Sequence, residues 1–390
     1  MSKPKLVRVT TVPISMDKLL HGQLRFMSTY FEVVAISSDR EYLERVGVRE
    51  GVRTFPIAMS RKITPLADFL AICKLYFFLR KEKPLIIHSH TPKAGLVSMI
   101  ASKLAGVPHR LHTVAGLPLL ETKGFKRTIL NSVEKLTYAC ATNVYPNSLG
   151  LQEIIVQNKF CVPSKLKVIG NGSSNGIDID HFNPGLFTEA QNLTLRQRLN
   201  IGPSDFVFVF VGRLVSDKGI NEMVAAFERH QTQHPLSKLL LVGDYEADLD
   251  PLLPRTLQAI ENNQSIITAG FQADVRPYLA LSNVLVFPSY REGFPNVVMQ
   301  AGAMGLPCIV TDINGCNEII KEGVNGVIVS VKNIDNLLLF MNEFVANSQL
   351  FNQLQANSRT MIATRYNQQV IWEAIKKEYI QLTVDYQDIK

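Results

Sequence analysis

The chain has 390 residues, 46% apolar and 19% charged, which suits two globular domains and excludes disordered, coiled-coil and fibrous classes. The net charge of +7 is uneven: residues 1–180 hold 25 Lys and Arg against 13 Asp and Glu, for +12, and the remainder carries −5. The five cysteines, at 73, 140, 161, 308 and 316, form no C-x-x-C pair, which argues against a zinc site and a disulfide framework and for reduced thiols.

In chain order, short β-branched runs alternate with longer helical patterns, the rhythm of parallel α/β layers. First-half strands are expected at 5–12, 32–37, 85–88, 109–113 and 166–169, with helical patterns at 65–82, 94–105 and 125–139. Gly22 and Gln23 follow the first strand and read as a loop or helix start facing a ligand, or as a plain turn. HSHTPKAG (88–95) places His88, His90 and Lys93 after the third strand; no third ligand for a metal is evident there, and Lys93 near a helix start suits a carrier-lipid diphosphate, or equally reads as a plain exposed lysine. The patterns 65–82 and 121–138 mix apolar surface with Lys74, Arg80, Lys81, Lys83, Lys123, Lys126, Arg127 and Lys135. Such a mixture fits helices lying on an anionic membrane surface, and equally core helices with basic flanks. No apolar run of ~18 residues predicts a spanning helix, and the N-terminus lacks a secretory h-region. The expected location is therefore the cytoplasm, at the inner face of the membrane.

Residues 170–184, GNGSSNGIDIDHFNP, show neither helical nor strand period and read as a linker. Asn171 within it is a candidate sugar or acceptor contact. The second half repeats the plan, with strands expected at 206–211, 238–242, 265–269, 284–287 and 308–311 and helices at 333–346 and 368–383. The expected domains are 1–180, 181–365 and a C-terminal helix, 366–390, packing back on the first domain. Two such sheets would face a cleft with their carboxyl ends, where ligands of open parallel sheets bind.

In GRLVSDKG (212–219), a buried strand ends at Gly212, and Arg213 and Lys218 fall in the strand-to-helix loop. An Arg fork and a Lys point charge suit two adjacent phosphates, and the segment alone equally fits an exposed loop with two solvated cations. In REGFPNVVMQAGAMGLPCIVTD (291–312), Glu292 and Gly293 follow a strand, Pro295 suits a first helical position, and Gln300 lies eight residues beyond Glu292. Glu292 reads as a hydrogen-bond partner for sugar hydroxyls, or as a simple helix-start carboxylate. Two D-x-D strings, Asp178-Ile179-Asp180 and Asp248-Leu249-Asp250, follow no main nucleotide-site strand and read as structural rather than metal-binding.

With these segments and their spacing, the chain resembles family 4 of the retaining glycosyltransferases, which have the GT-B fold of two Rossmann-like domains facing an interdomain cleft. Within it, the likeness is to bacterial enzymes that build capsular or O-antigen repeat units on a lipid carrier; HGQLRFMS (21–28), HSHTPKAG and the 170–184 stretch also look familiar. The resemblance implies that Arg213 and Lys218 neutralise the donor diphosphate and that Glu292 lies near the transferred sugar. Gln300 stands where the family's second Glu grips the ribose, a departure that keeps an acceptor oxygen but loses the charge. Backbone groups of Gly212, Gly293, Phe294, Pro295, Asn296 and Val297 would approach the phosphates and sugar, and Phe271 and Gln272 would seat the base. A second departure is Ala115, where many members carry the His of T-x-H; His112, His90, Lys93 and Asn171 remain as possible sugar or acceptor contacts. The resemblance implies a UDP-sugar donor, a polyprenyl-diphosphate-linked saccharide acceptor, an anionic membrane surface, no cofactor, no metal and no nucleic-acid partner. The alternative is a nucleotide-sugar epimerase of similar fold.

Overall fold

The computed structural model describes residues 3–117, 122, 124–246 and 250–388, so Lys123 and the Asp248-Leu249 part of the second D-x-D lie outside the described residues. The chain divides into two compact units, Met1–Asn175 with Gln369–Lys390, and Gly176–Gln368. The helix Gln368–Asp388 thus belongs almost wholly to the first unit. The expected linker is shared out: Ile177 N–H donates to the Tyr366 carbonyl at 2.7 Å and Gln368 N–H to the Ile177 carbonyl at 3.0 Å, tying the stretch from Gly176 onward into the second unit. Lysines and arginines exceed acids by 13 in the first unit, and acids exceed them by 6 in the second.

The first unit holds strands β1 (Lys5–Val9), β2 (Glu32–Ser37), β3 (Arg53–Pro56), β4 (Ile86–His90), β5 (His109–Val114) and β6 (Asn143–Pro146), all parallel, in the order β3-β2-β1-β4-β5-β6. The second unit repeats this with β7 (Phe206–Val211), β8 (Ser237–Val242), β9 (Ile266–Gly270), β10 (Val284–Phe287), β11 (Cys308–Thr311) and β12 (Gly326–Val329), in the order β12-β11-β10-β7-β8-β9. Each sheet reverses direction of growth at its centre, between β1 and β4 and between β7 and β10; such a reversal opens a crevice at the carboxyl ends of the strands.

Central strands such as FVFVFV (206–211) are apolar on both faces because helices cover both faces of a parallel sheet. In the first unit one core lies beneath the helices Pro65–Glu82, Pro92–Ala105 and Gly124–Cys140. The other face packs Leu24, Met27, Leu43 and Val46 together with Ile371, Ile375 and Tyr379 of the C-terminal helix. Three strands absent from the sequence expectation, β3, β6 and β12, are four-residue strands at sheet edges. Two of them, RTFP and NVYP, end in proline, which an edge tolerates because no ladder partner needs its missing N–H. Conversely, 166–169 is not a strand: Leu166 makes only an isolated bridge to Val144, and the chain turns at Gly170.

Candidate active site

At the carboxyl edge of the second sheet, β7 runs into Gly212 and Arg213. The Leu214 N–H donates to the Asp244 carbonyl at 2.8 Å, which holds this loop beside the one after β8. Arg213, half exposed, donates through Nη1 to Glu246 Oε2 at 2.7 Å, and that carboxylate pushes the guanidinium pKa further up. Lys218 ends a one-turn 3₁₀ helix, Ser216–Lys218, followed by Gly219 at φ +72°. A Cβ at Gly219 would come within 2.1 Å of the Pro288 carbonyl oxygen, so glycine is what lets this turn press against the loop after β10. That contact brings Lys218 Nζ onto Glu292 Oε1, 74 residues away in sequence. Ser289 Oγ donates to the same carboxylate oxygen at 3.1 Å.

The two loops are tied at further points. Asp217 Oδ2 accepts from Arg291 Nη2 at 2.5 Å, and the Asp217 carbonyl accepts from Tyr290 N–H at 2.9 Å. Asn314 Nδ2 donates to the Glu292 and Gly293 carbonyls, fixing the backbone just before the helix Asn296–Ala303. Pro295 is the capping residue of that helix, one place earlier than the first helical position expected for it. Gly315, at φ +79°, packs on this corner: a Cβ there would lie 2.7 Å from the Gly293 carbonyl oxygen. The helix directs its free N–H groups and positive dipole end toward the same edge.

Gln300 is half-buried in that helix. Asn296 is exposed, Val297 half-buried, and Phe294 buried against Tyr366 at 5.4 Å between ring centres. After β9, Phe271 is 71% exposed and its N–H donates to Asp244 Oδ1 at 2.9 Å; Gln272 Nε2 donates to the Ala269 carbonyl at 2.7 Å. The loops after β7, β9 and β10 therefore carry Arg213, Lys218, Phe271, Gln272 and Glu292 at the carboxyl edge of one sheet. The arrangement offers two cations and a helix N-terminus to an anion, and a carboxylate beside them to hydroxyls.

Sequence reasoning overlooked Glu246, Ser289, Asp217, Arg291, Asn314 and Gly315. The N-G pair at 314–315 carried a usable turn signal. Glu246, Ser289 and the Asp217–Arg291 pair carried none, because their partners come from other loops.

Twin parallel sheets of this order, with a cationic and helix-capped edge on the second, are the GT-B architecture. Solved structures agree: Anabaena Alr3699/HepE in complex with UDP superposes with a TM-score of 0.80 at 18% identity, covering 97% of this chain and 100% of that one. Sucrose-phosphate synthase from Thermosynechococcus elongatus gives 0.74 at 18% identity over 98% and 100%. The glycosyl transferases group 1 model matches residues 191–361, and the glycosyl transferase 4-like domain model matches 26–172. The capsular polysaccharide biosynthesis glycosyltransferase CapM of Staphylococcus aureus is 30% identical over 97% of each chain. The Escherichia coli UDP-Gal:alpha-D-GlcNAc-diphosphoundecaprenol alpha-1,3-galactosyltransferase is 30% identical over 86% of each. The chain belongs to the family 4 type of GT-B glycosyltransferases, and the epimerase reading is set aside.

The first unit corrects several expectations. Gln23 faces inward, not toward a ligand: it is fully buried, accepts from Arg8 Nη2 at 2.6 Å, and donates to the Ser174 carbonyl at 3.1 Å and Asn175 Oδ1 at 2.9 Å. Gly22, at φ +75°, lies under the ring of Trp372, whose Cη2 would sit 2.7 Å from a Cβ. His88 and His90 lie inside β4 rather than after it. His90 Nε2 accepts from Arg8 Nη2 at 2.8 Å, and His88 bridges Tyr379 Oη at 2.5 Å and Thr113 Oγ1 at 2.7 Å. Both rings are buried, and desolvation keeps their pKa values well below the usual range, followed for His88 by the neighbouring His90 ring and then Arg8, and for His90 by the Arg8 charge. His112 is buried on the opposite face, against Gly95 and Ser89 Oγ (2.9 Å), and burial lowers its pKa to about 4. Neither His90 nor His112 is presented to a sugar. Lys93 is taken up by an ion pair with Asp68, and both side chains are nearly covered. Asn171 is exposed in the turn after Gly170. Among the described residues no group of three or more His, Cys, Asp or Glu gathers as a metal site.

Proposed function

We propose that this chain is a retaining, metal-independent glycosyltransferase that moves a hexose from a UDP-sugar to a polyprenyl-diphosphate-linked saccharide in surface polysaccharide synthesis. The observation that carries the reading is the meeting of Lys218 with Glu292, beside Arg213, at the carboxyl edge of β7 and β10. A carboxylate and a lysine that neutralise each other across two loops are poised to exchange partners when a sugar diphosphate arrives. Lys218 and Arg213 then take the phosphates, and Glu292 accepts from sugar hydroxyls. The capsular and diphosphoundecaprenol-utilising relatives support the acceptor class, and the UDP-bound neighbours support the donor.

In the proposed reaction the bond from the anomeric carbon to the diphosphate oxygen breaks. The acceptor oxygen bonds to that carbon on the same face, and its proton passes to the departing diphosphate. Arg213, Lys218 and the helix N-terminus at Pro295 stabilise the charge that develops on the leaving group. Ribose contact falls to Gln300, and the base to the Phe271–Gln272 loop.

The test is transfer from UDP-hexoses to a lipid-diphosphate-saccharide by wild type and Arg213→Ala. Arg213 is half exposed and bonded to one carboxylate, so its removal leaves the fold intact, while turnover drops by about 100-fold or more. Near-normal transfer by the variant would sink the assignment.

A further inference from the structure

The second unit uses arginines in two ways. Arg359 donates to the Ile179, Phe182 and Ala303 carbonyls, and Arg196 to the Gly202, Asp205 and Leu281 carbonyls, so each fastens several segments of backbone. Arg213 is different. Its side chain is 48% exposed at the carboxyl edge of β7, and it donates through Nη1 to a carboxylate, Glu246, on the loop after β8.

This ion pair is not what holds the two loops together. Gly212 N–H donates to the Val242 carbonyl at 2.9 Å, Leu214 N–H to the Asp244 carbonyl at 2.8 Å, and Leu214 forms a bridge to Tyr245. Gly243, at φ +149°, lets the strand ends press closer still: a Cβ there would lie 1.8 Å from the Gly212 carbonyl oxygen. The backbone therefore delivers Glu246 to Arg213, and the pair can open without the loops parting.

The charges of this edge explain why such a pair is present. Arg213, Lys218 and Arg291, in the loops after β7 and β10, each face a carboxylate: Glu246, Glu292 and Asp217. Lys218 and Glu292 are mostly covered, at 15% and 18% exposure, whereas Glu246 is 36% exposed beside Arg213. Exposed pairs are the weakest kind, so Glu246 is the carboxylate most readily displaced. An arginine with no counter-charge would grip a diphosphate bidentately before and after reaction alike. Binding that favours substrate and product equally does nothing for the chemical step and slows product release.

We infer that Glu246 is a displaceable counter-ion for Arg213, yielding the guanidinium to the donor diphosphate and recapturing it as the product UDP leaves. Glu246 acts through Arg213 and is a positioning residue. The inference rests on the proposed donor reading, because it takes Arg213 as a phosphate ligand. It adds to that reading a carboxylate that sets how long the product stays.

The experiment is calorimetry of UDP on the full chain, with dissociation followed by displacement of labelled UDP, for wild type, Glu246→Gln, Arg213→Ala and the double variant. Gln keeps the size and an acceptor oxygen but loses the charge. Glu246→Gln should bind UDP about two- to fivefold tighter, the range an exposed pair supports, with dissociation slowed by a similar factor and an unchanged melting temperature. The gain should shrink at high salt, where exposed charges are screened. It should vanish in the Arg213→Ala background, because the competitor then has nothing to compete for. A UDP affinity that stays the same or falls in Glu246→Gln overturns the inference and would make Glu246 a brace for Arg213. A gain that persists without Arg213 also overturns it, as a general effect of charge on an anion. If Arg213→Ala alone leaves UDP binding unchanged, the failure lies in the donor reading itself.

Discussion

Acidification from pH 7 to pH 5 should weaken the first unit far more than the second. The cause is three histidines, His88, His90 and His112, that the first unit buries in neutral form; the second buries one, His230, whose pKa burial lowers to about 4. In the unfolded chain a histidine titrates near pH 6.5. Their folded pKa values are depressed, so the stability they contribute is present above about 6.5 and drains away as the unfolded state takes up protons below it. At pH 5 each such group costs about 2 kcal/mol relative to pH 7. That is about 6 kcal/mol for the first unit and about 2 for the second, against a total of roughly 5–15 for a domain. Glu134 opposes the trend, because burial raises its pKa and its cost shrinks as pH falls. One carboxyl does not cancel three imidazoles. Glu82, held at about 2 by Arg53 and Lys5, acts only at lower pH.

The assay is built into the chain. Trp372, its one tryptophan, lies in the first unit, so its fluorescence during urea unfolding reports that unit alone. The midpoint should fall steeply between pH 6.5 and 5. A midpoint that holds or rises over that range would refute the reasoning.

Two more outcomes follow from the donor edge. Gln300→Glu puts a charged acceptor in place of an amide, and charge-assisted hydrogen bonds are about twice as strong as neutral ones. UDP should bind several-fold tighter by calorimetry, and unchanged or weaker binding would remove Gln300 from the ribose site. Gly219→Ala must place a Cβ 2.1 Å from the Pro288 oxygen at a left-handed φ, at a cost of at least about 2 kcal/mol. It should lower the melting temperature and UDP affinity together, because Lys218 loses its approach to Glu292; full UDP affinity in a folded variant would disprove that link.

Local grammar carried a large share of this molecule. A buried strand running into a Gly-bearing loop is readable wherever it occurs, so the loop after β7 with Arg213 and Lys218, and the loop after β10 with Glu292, were placed at the edge of the second sheet from spacing alone. The same grammar misled where context was missing. His90 lies past the expected strand end at 88, whereas β4 continues through it; both rings are buried, His88 against Tyr379, 291 residues away, and His90 against Arg8. Gln23 looked ligand-facing because Asn175, its partner, lies 152 residues on.

What the sequence determined by itself was the periodicity of its strands and helices and the chemistry of residues next to strand ends, because both depend on neighbours within a few positions. Only the tertiary structure decided which of those residues are spent on each other. Arg8 meets Tyr379 across 371 residues, and Lys218 meets Glu292 across 74. Such pairings arise from how helices settle on a sheet, and no local pattern encodes the partner.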